Sequence, residues 1–104
     1  MKKFLILILL FFVLFFGCKK ETNKDLAIEK CIELCEKAKK ELNLVSQCLS
    51  DLYEWHIDDW VCDIASWPRE EIDNLYENQC KNYREGKANH FVELNRNCEL
   101  IRAI

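Results

Sequence analysis

The hydrophobic positions of the chain fall into two different patterns. Residues 4–16 are hydrophobic without interruption and are followed by Gly17 and Cys18, whereas later apolar positions are spaced among polar ones. A membrane-spanning helix needs about 20 apolar residues, so the uninterrupted run is short for a span. A basic start, a short apolar core and a small residue before the cut are typical of a secretory signal peptide. We assign this role to residues 1–17.

The end of the apolar run resembles a lipobox, the sequence at which a diacylglycerol is attached to a cysteine. Gly17 and Cys18 fit that pattern. The resemblance implies cleavage after Gly17, a lipid on Cys18 and a polar tether over residues 18–24. A retained N-terminal anchor with an unmodified thiol is the alternative. In both cases we expect an extracytoplasmic domain, residues 25–104, held at a membrane surface.

A helical period dominates the start of this domain. Five residues recur at steps of three and four and therefore share one helical face: Ile28, Cys31, Cys35, Ala38 and Leu42. We predict one long helix that begins at residue 24 or 25, with Asn23 as its N-cap.

The helical spacing of apolar residues is less regular in the rest of the domain. Four apolar residues also share a helical spacing: Tyr53, Ile57, Trp60 and Ile64. We therefore predict a short helix over residues 58–65, a second one opened by Pro68, and a third one ended by Gly86 as a left-handed cap. Alternation near the C-terminus predicts two strands, residues 90–94 and 98–104. The predicted fold class is α+β, with one long N-terminal helix, short helices and a C-terminal β-hairpin.

Six cysteines follow Cys18 and define the expected covalent framework: Cys31, Cys35, Cys48, Cys62, Cys80 and Cys98. An even number in a short exported domain predicts three disulfides, which compensate for a small core. No C-x-x-C pair is present, so a zinc or redox site has less support. Cys31 and Cys35 lie one helical turn apart and should each bond to another segment. Of the 15 connectivities, we favour those that contain Cys35–Cys48.

The charge distribution excludes one class of function. Removal of residues 1–17 changes the net charge from −3 to −5, and residues 51–77 carry nine carboxylates against the single Arg69. A polyanion would be repelled by this surface, so we expect no nucleic-acid partner. The two glycines, Gly17 and Gly86, cannot build a phosphate-binding loop. We accordingly expect no cofactor.

The two histidines are the candidates for metal or catalytic chemistry. His56 lies between Glu54 and Asp58, a set that could hold a divalent ion, although an exposed acidic stretch is the ordinary meaning of such composition. His90 opens the predicted hairpin, and the sequence selects no partner for it. A small metal-binding protein or enzyme that uses His56, His90 and nearby carboxylates is therefore the alternative function.

The tryptophans are the candidates for contact with a partner. We expect Trp60 in the core and Trp55 or Trp67 at the surface. The favoured function is a non-enzymatic, lipid-anchored module that binds a protein or glycan at the cell surface.

Several short strings in residues 28–104 resemble a family of small cysteine-rich exported proteins and lipoproteins, chiefly archaeal. The strings are Trp60-Val61-Cys62-Asp63, Pro68-Arg69, Asp73-Asn74, Glu77-Asn78-Gln79-Cys80, Arg84-Glu85-Gly86-Lys87-Ala88, His90-Phe91-Val92-Glu93 and Leu100-Ile101-Arg102-Ala103. The resemblance implies export and a similar fold. It implies no chemistry, because the family has no known activity.

Overall fold

The computed structural model describes residues 22–104. The predicted signal peptide, Cys18 and the tether up to residue 21 lie outside the described residues. No helix within residues 22–104 has the length and apolar character needed to cross a membrane.

Helix α1 (Asn23–Glu41) is the long N-terminal helix that the sequence predicts. Its N-cap is Thr22 rather than Asn23, because the Thr22 hydroxyl accepts a hydrogen bond from the Asp25 amide and the Asp25 carboxylate accepts one from the Thr22 amide. This capping box places the start of the helix earlier than predicted. The buried face carries alanines and cysteines, whose small side chains let the helix lie close to the sheet.

Four strands form one sheet, and their spatial order follows the chain: β1 (Gln47–Cys48), β2 (Trp60–Ile64), β3 (His90–Leu94) and β4 (Leu100–Ala103). The central strands β2 and β3 are parallel, and both outer pairs are antiparallel. The α+β class and the C-terminal hairpin of β3 and β4 are thus confirmed.

The predicted helix over residues 58–65 is wrong, because this segment contains strand β2. Trp60, Cys62 and Ile64 pack towards α1, while Val61 lies in a second cluster on the opposite face. A strand covered on both faces loses the clear apolar and polar alternation by which strands are recognised. Its apolar residues then match a helical spacing by coincidence.

The other short helices are α2 (Leu49–Leu52), two 3₁₀ turns at Glu71–Asn74 and Tyr76–Asn78, and α3 (Lys81–Arg84). Helix α2 has no counterpart among the predicted helices, whereas the 3₁₀ turns and α3 follow the predicted order with shifted bounds. Pro68 does not open the first 3₁₀ turn, which begins at Glu71. Gly86 follows α3 with a φ of 76°, which confirms the predicted left-handed conformation.

Three disulfides pair all six cysteines of the described domain, as predicted: Cys31–Cys62, Cys35–Cys98 and Cys48–Cys80. The first two tie α1 to β2 and to the β3–β4 turn, so both helix cysteines bond outward. The predicted Cys35–Cys48 bond is wrong. Cys48 packs with Val61 and Cys80 in the cluster on the sheet face that points away from α1, so its sulfur cannot meet Cys35.

Candidate functional site

A cleft of about 290 Å³ opens on the face of the sheet that points away from α1. Alternation along the strands places side chains from β2, β3 and β4 in it, and the chain between β2 and α3 covers part of this face. We call it the β2–β3 cleft. It is lined by Val61, Asp63, Arg69, Gln79, Cys80, Tyr83, Phe91, Glu93 and Arg102.

Glu93 lies at the centre of the charged part of this cleft. Its side chain is 6% exposed. Its Oε2 accepts a hydrogen bond from Arg69 Nη1 at 3.0 Å, and its Oε1 forms an ion pair with Arg102 Nε at 3.2 Å. Sheet pairing fixes this arrangement, because Glu93 is the register partner of Arg102 on β4 and of Asp63 on β2. Two guanidinium groups thus lie beside this buried carboxylate and hold it in place.

Arg69 is held by the turn that follows β2. Its Nε donates to Asn74 Oδ1 at 3.0 Å and its Nη2 to the Asp73 carbonyl at 3.3 Å. The Asp73 carboxylate in turn accepts from the amides of Ser66 and Glu70 at 2.9 and 2.8 Å. Burial alone would raise the pKa of Asp73, but these hydrogen bonds and the charge of Arg69 hold it below its ordinary value.

Asp63 has the opposite electrostatic environment. Burial and the neighbouring charge of Glu93 raise the pKa of Asp63 to about 8, although Arg69 acts in the other direction. Its Oδ1 atom is buried and has no hydrogen-bond partner within the described chain. At neutral pH the carboxyl of Asp63 is therefore largely protonated.

A protonated carboxyl next to a carboxylate is also found in acid–base catalysis, but here the second group is not free to act. Both Glu93 oxygens are occupied by arginines, and the nearby Cys80 sulfur belongs to a disulfide. Glu93 is therefore not a free carboxylate partner for Asp63, and Cys80 is not a free nucleophile.

The histidines lie outside this cleft and have separate carboxylate partners. His56 contacts Glu54 at 2.8 Å, with both side chains at least 80% exposed. His90 contacts Asp59 at 3.3 Å and stacks on Trp60 with ring centroids 4.8 Å apart. No Ser, Thr or Cys side chain within residues 22–104 forms a hydrogen bond with either histidine.

The predicted metal set is only partly brought together. Glu54 and His56 are in contact, but Asp58 does not complete a group with them. The described part of the chain contains no cluster of three His, Cys, Asp or Glu side chains that could hold a metal ion.

The tryptophans divide much as the sequence predicts. Trp60 is buried, and Trp67 is 66% exposed beside the β3–β4 turn. Trp55 is partly buried, and its indole nitrogen donates to the Trp60 carbonyl at 2.8 Å. Trp67 is thus the more open of the two predicted contact residues.

The acidic segment 51–77 does not form one solvated face. Asp63 and Asp73 lie within the fold, and Asp51 and Asp59 accept hydrogen bonds from the amides of Lys81 and Asn89.

Sequence reasoning missed the four charged residues of the β2–β3 cleft: Asp63, Arg69, Glu93 and Arg102. A usable indication is present, because Asp63 and Glu93 each interrupt a short apolar run with a charge. The pairing of the two runs is not predictable from the pattern, since the spacing over residues 58–65 predicts a helix. Without strand β2, nothing in the sequence places the two carboxyls together.

Comparisons of the chain with protein-family models, curated proteins and solved structures found no match. The resemblance to small exported cysteine-rich proteins therefore stays a prediction.

Proposed function

We propose that the protein is exported, is anchored to the membrane by a lipid on Cys18, and acts there as a non-enzymatic binding module. The apolar run before Gly17 and Cys18 supports export and lipidation. The three disulfides are in keeping with an oxidising compartment, since such bonds rarely persist in the cytosol.

The observation that carries the binding part of the proposal is the state of the β2–β3 cleft. Asp63 lines the cleft, and its buried Oδ1 has no hydrogen-bond partner within the described residues. The charged lining is held in place, since Glu93 forms ion pairs with Arg69 and Arg102. Concave sites with a few convergent polar groups are the usual form of ligand pockets. The cleft thus contains groups that can recognise a ligand, whereas its lining residues do not include a nucleophile paired with a base.

The alternative, a metal-binding protein or an enzyme built on His56 and His90, has less support. The two histidines have different partners, Glu54 and Asp59. A stoichiometric divalent metal in the purified protein that is lost in His56→Ala would favour this alternative.

The anchor is tested by fractionation of cells that produce the native chain and its Cys18→Ser variant. We expect the native protein in the detergent phase, with the mass of a diacylglycerol on Cys18, and the variant without that mass and released or mislocalised. Lys20→Ser is the matched control, because it changes the same short segment and leaves Cys18 intact. An unmodified Met1 or a free Cys18 thiol in the native protein would contradict the proposal.

A further inference from the structure

Arg102 brings open hydrogen-bond donors to the β2–β3 cleft. Its Nε is bound to Glu93, but within residues 22–104 neither terminal nitrogen has a hydrogen-bond partner. Arg69 differs, because all three of its nitrogens are engaged by protein oxygens. Arg102 lines the cleft and its side chain is 40% exposed, so a ligand can reach it. Two parallel N–H groups on such an edge match the two oxygens of a carboxylate.

Asp63 adds a second recognition point on the neighbouring strand. Its Oδ1 is buried and lacks a partner within the described residues, although a buried polar atom is almost always hydrogen-bonded. Asp63 also lines the cleft. A ligand atom that reaches this oxygen would supply the missing hydrogen bond.

Apart from Gln79, the remaining wall of the cleft is mostly apolar. Phe91 and Tyr83 meet edge to face with ring centroids 5.2 Å apart, and Val61 lies beside them. The volume of about 290 Å³ suits a small molecule rather than a polymer. An aromatic or flat aliphatic body would pack on these side chains.

Resting on the proposed binding function, these three features define the chemistry of the ligand. We propose that the β2–β3 cleft binds a small organic carboxylate, whose two oxygens contact the open edge of Arg102 and whose flat apolar body lies against Phe91 and Tyr83. Asp63 contacts a polar atom of the bound molecule. An organic cation would meet two guanidinium groups whose single counter-charge, Glu93, is already engaged.

The test is a titration of the isotope-labelled full chain in detergent micelles, followed by NMR. The probes are benzoate and indole-3-acetate, with benzamide as the neutral analogue, benzylamine as the cationic one, and inorganic phosphate as an anion without an apolar body. We expect saturable shifts of the amides of Asp63, Phe91 and Glu93 with the two carboxylates, and none with the other probes. Absence of saturable shifts, or equal shifts with phosphate or benzylamine, would overturn the proposal.

Arg102→Gln should weaken carboxylate binding about tenfold or more, since a charge-assisted hydrogen-bond pair is lost. Arg96→Gln is the matched control, because Arg96 is an exposed arginine of the β3–β4 turn that lines a different cleft. If Arg102→Gln disturbs the fold, Arg102→Lys replaces it as the test variant, because it keeps a positive charge beside Glu93 but lacks the planar guanidinium group. Arg102→Lys should also bind the carboxylates more weakly than the native protein. Equal loss in Arg102→Gln and Arg96→Gln, or native affinity in a folded Arg102→Lys, would contradict the assignment.

Asp63 makes the binding dependent on pH. Its charged neighbours are Glu93 of β3, Arg69 of the loop after β2 and Asp73 of the first 3₁₀ turn. The other charged or titratable residues that line the cleft are Tyr83 of α3 and Arg102 of β4. Above pH of about 8, an ionised Asp63 would repel a carboxylate. Native affinity should therefore fall, whereas Asp63→Asn should retain it at pH about 9.

Native affinity that does not change with pH, or an equal fall in Asp63→Asn, would contradict the role of Asp63. Fractionation of the same preparations tests independently whether the protein is anchored to the membrane. Failure of carboxylate binding and failure of the proposed export are therefore distinguishable.

Discussion

Asp63 and Glu93 are register partners on adjacent strands, yet their electrostatic environments differ. Glu93 is surrounded by guanidinium groups on both sides, so its negative charge is compensated. Asp63 has a buried oxygen and the charge of Glu93 as its neighbour, so its neutral form is favoured. The difference arises from the placement of Arg69 and Arg102, since the two side chains have the same chemistry in water.

Asp63→Asn should change how the free energy of unfolding depends on pH. Because the folded-state pKa of about 8 lies above the ordinary value of 3.8, the folded protein keeps a proton that the unfolded chain has lost. The contribution of Asp63 to the free energy of unfolding is fully present below about pH 4 and is lost as pH rises to about 8. The asparagine side chain of the variant does not ionise, so the variant should not lose this contribution as pH rises. Relative to the native protein, its free energy of unfolding should therefore increase by on the order of several kcal/mol between pH about 4 and pH about 8.

Denaturant unfolding of both proteins between pH about 4 and 9 measures this difference. Asp58→Asn is the control, because it removes an exposed carboxylate of the same acidic segment. Parallel pH profiles for the native protein and Asp63→Asn would refute the environment described for Asp63.

At the scale of elements, the sequence predicts α1 and the hairpin well and the centre of the sheet poorly. The face of α1 that carries Cys31 and Cys35 repeats with a clear helical period. The β3–β4 hairpin has the polar turn Asn95-Arg96-Asn97 between its strands, so the boundary between them is recognisable. Strand β2 is covered on both faces and lacks that contrast. The candidate site depends on β2 beside β3, so an error in one element hid the whole cleft.

The capping box at the start of α1 predicts a local energetic effect. Thr22→Ala should lower the free energy of unfolding by about 1 kcal/mol, because the Asp25 amide loses its hydrogen-bond acceptor. Thr22→Ser keeps the hydroxyl and should remain close to the native value. Thermal or denaturant melts at constant pH measure both. Equal stability of Thr22→Ala and Thr22→Ser would contradict the capping role.

At the scale of the molecule, disulfides fasten segments of the chain to both faces of the sheet. Cys31–Cys62 and Cys35–Cys98 fasten α1 to one face, and Cys48–Cys80 closes the segment over the other face, next to the β2–β3 cleft. Their sequence separations are 31, 63 and 32 residues. Closing loops of such lengths contributes about 3–4 kcal/mol each in the chain-entropy account. The number of disulfides is predictable from an even cysteine count, whereas the pairing requires the position of Cys48 on the far face.

The most direct test of this account is non-reducing peptide mapping of the protein purified from its membrane fraction. Cleavage after glutamate separates Cys31 from Cys35 at Glu33 and Cys48 from Cys62 at Glu54, and further cleavage after lysine and arginine separates the other cysteines. The account predicts linked peptides for Cys31–Cys62, Cys35–Cys98 and Cys48–Cys80, with no free thiol among these six residues. Free thiols at these positions, or a Cys35–Cys48 or Cys31–Cys35 peptide, would contradict it.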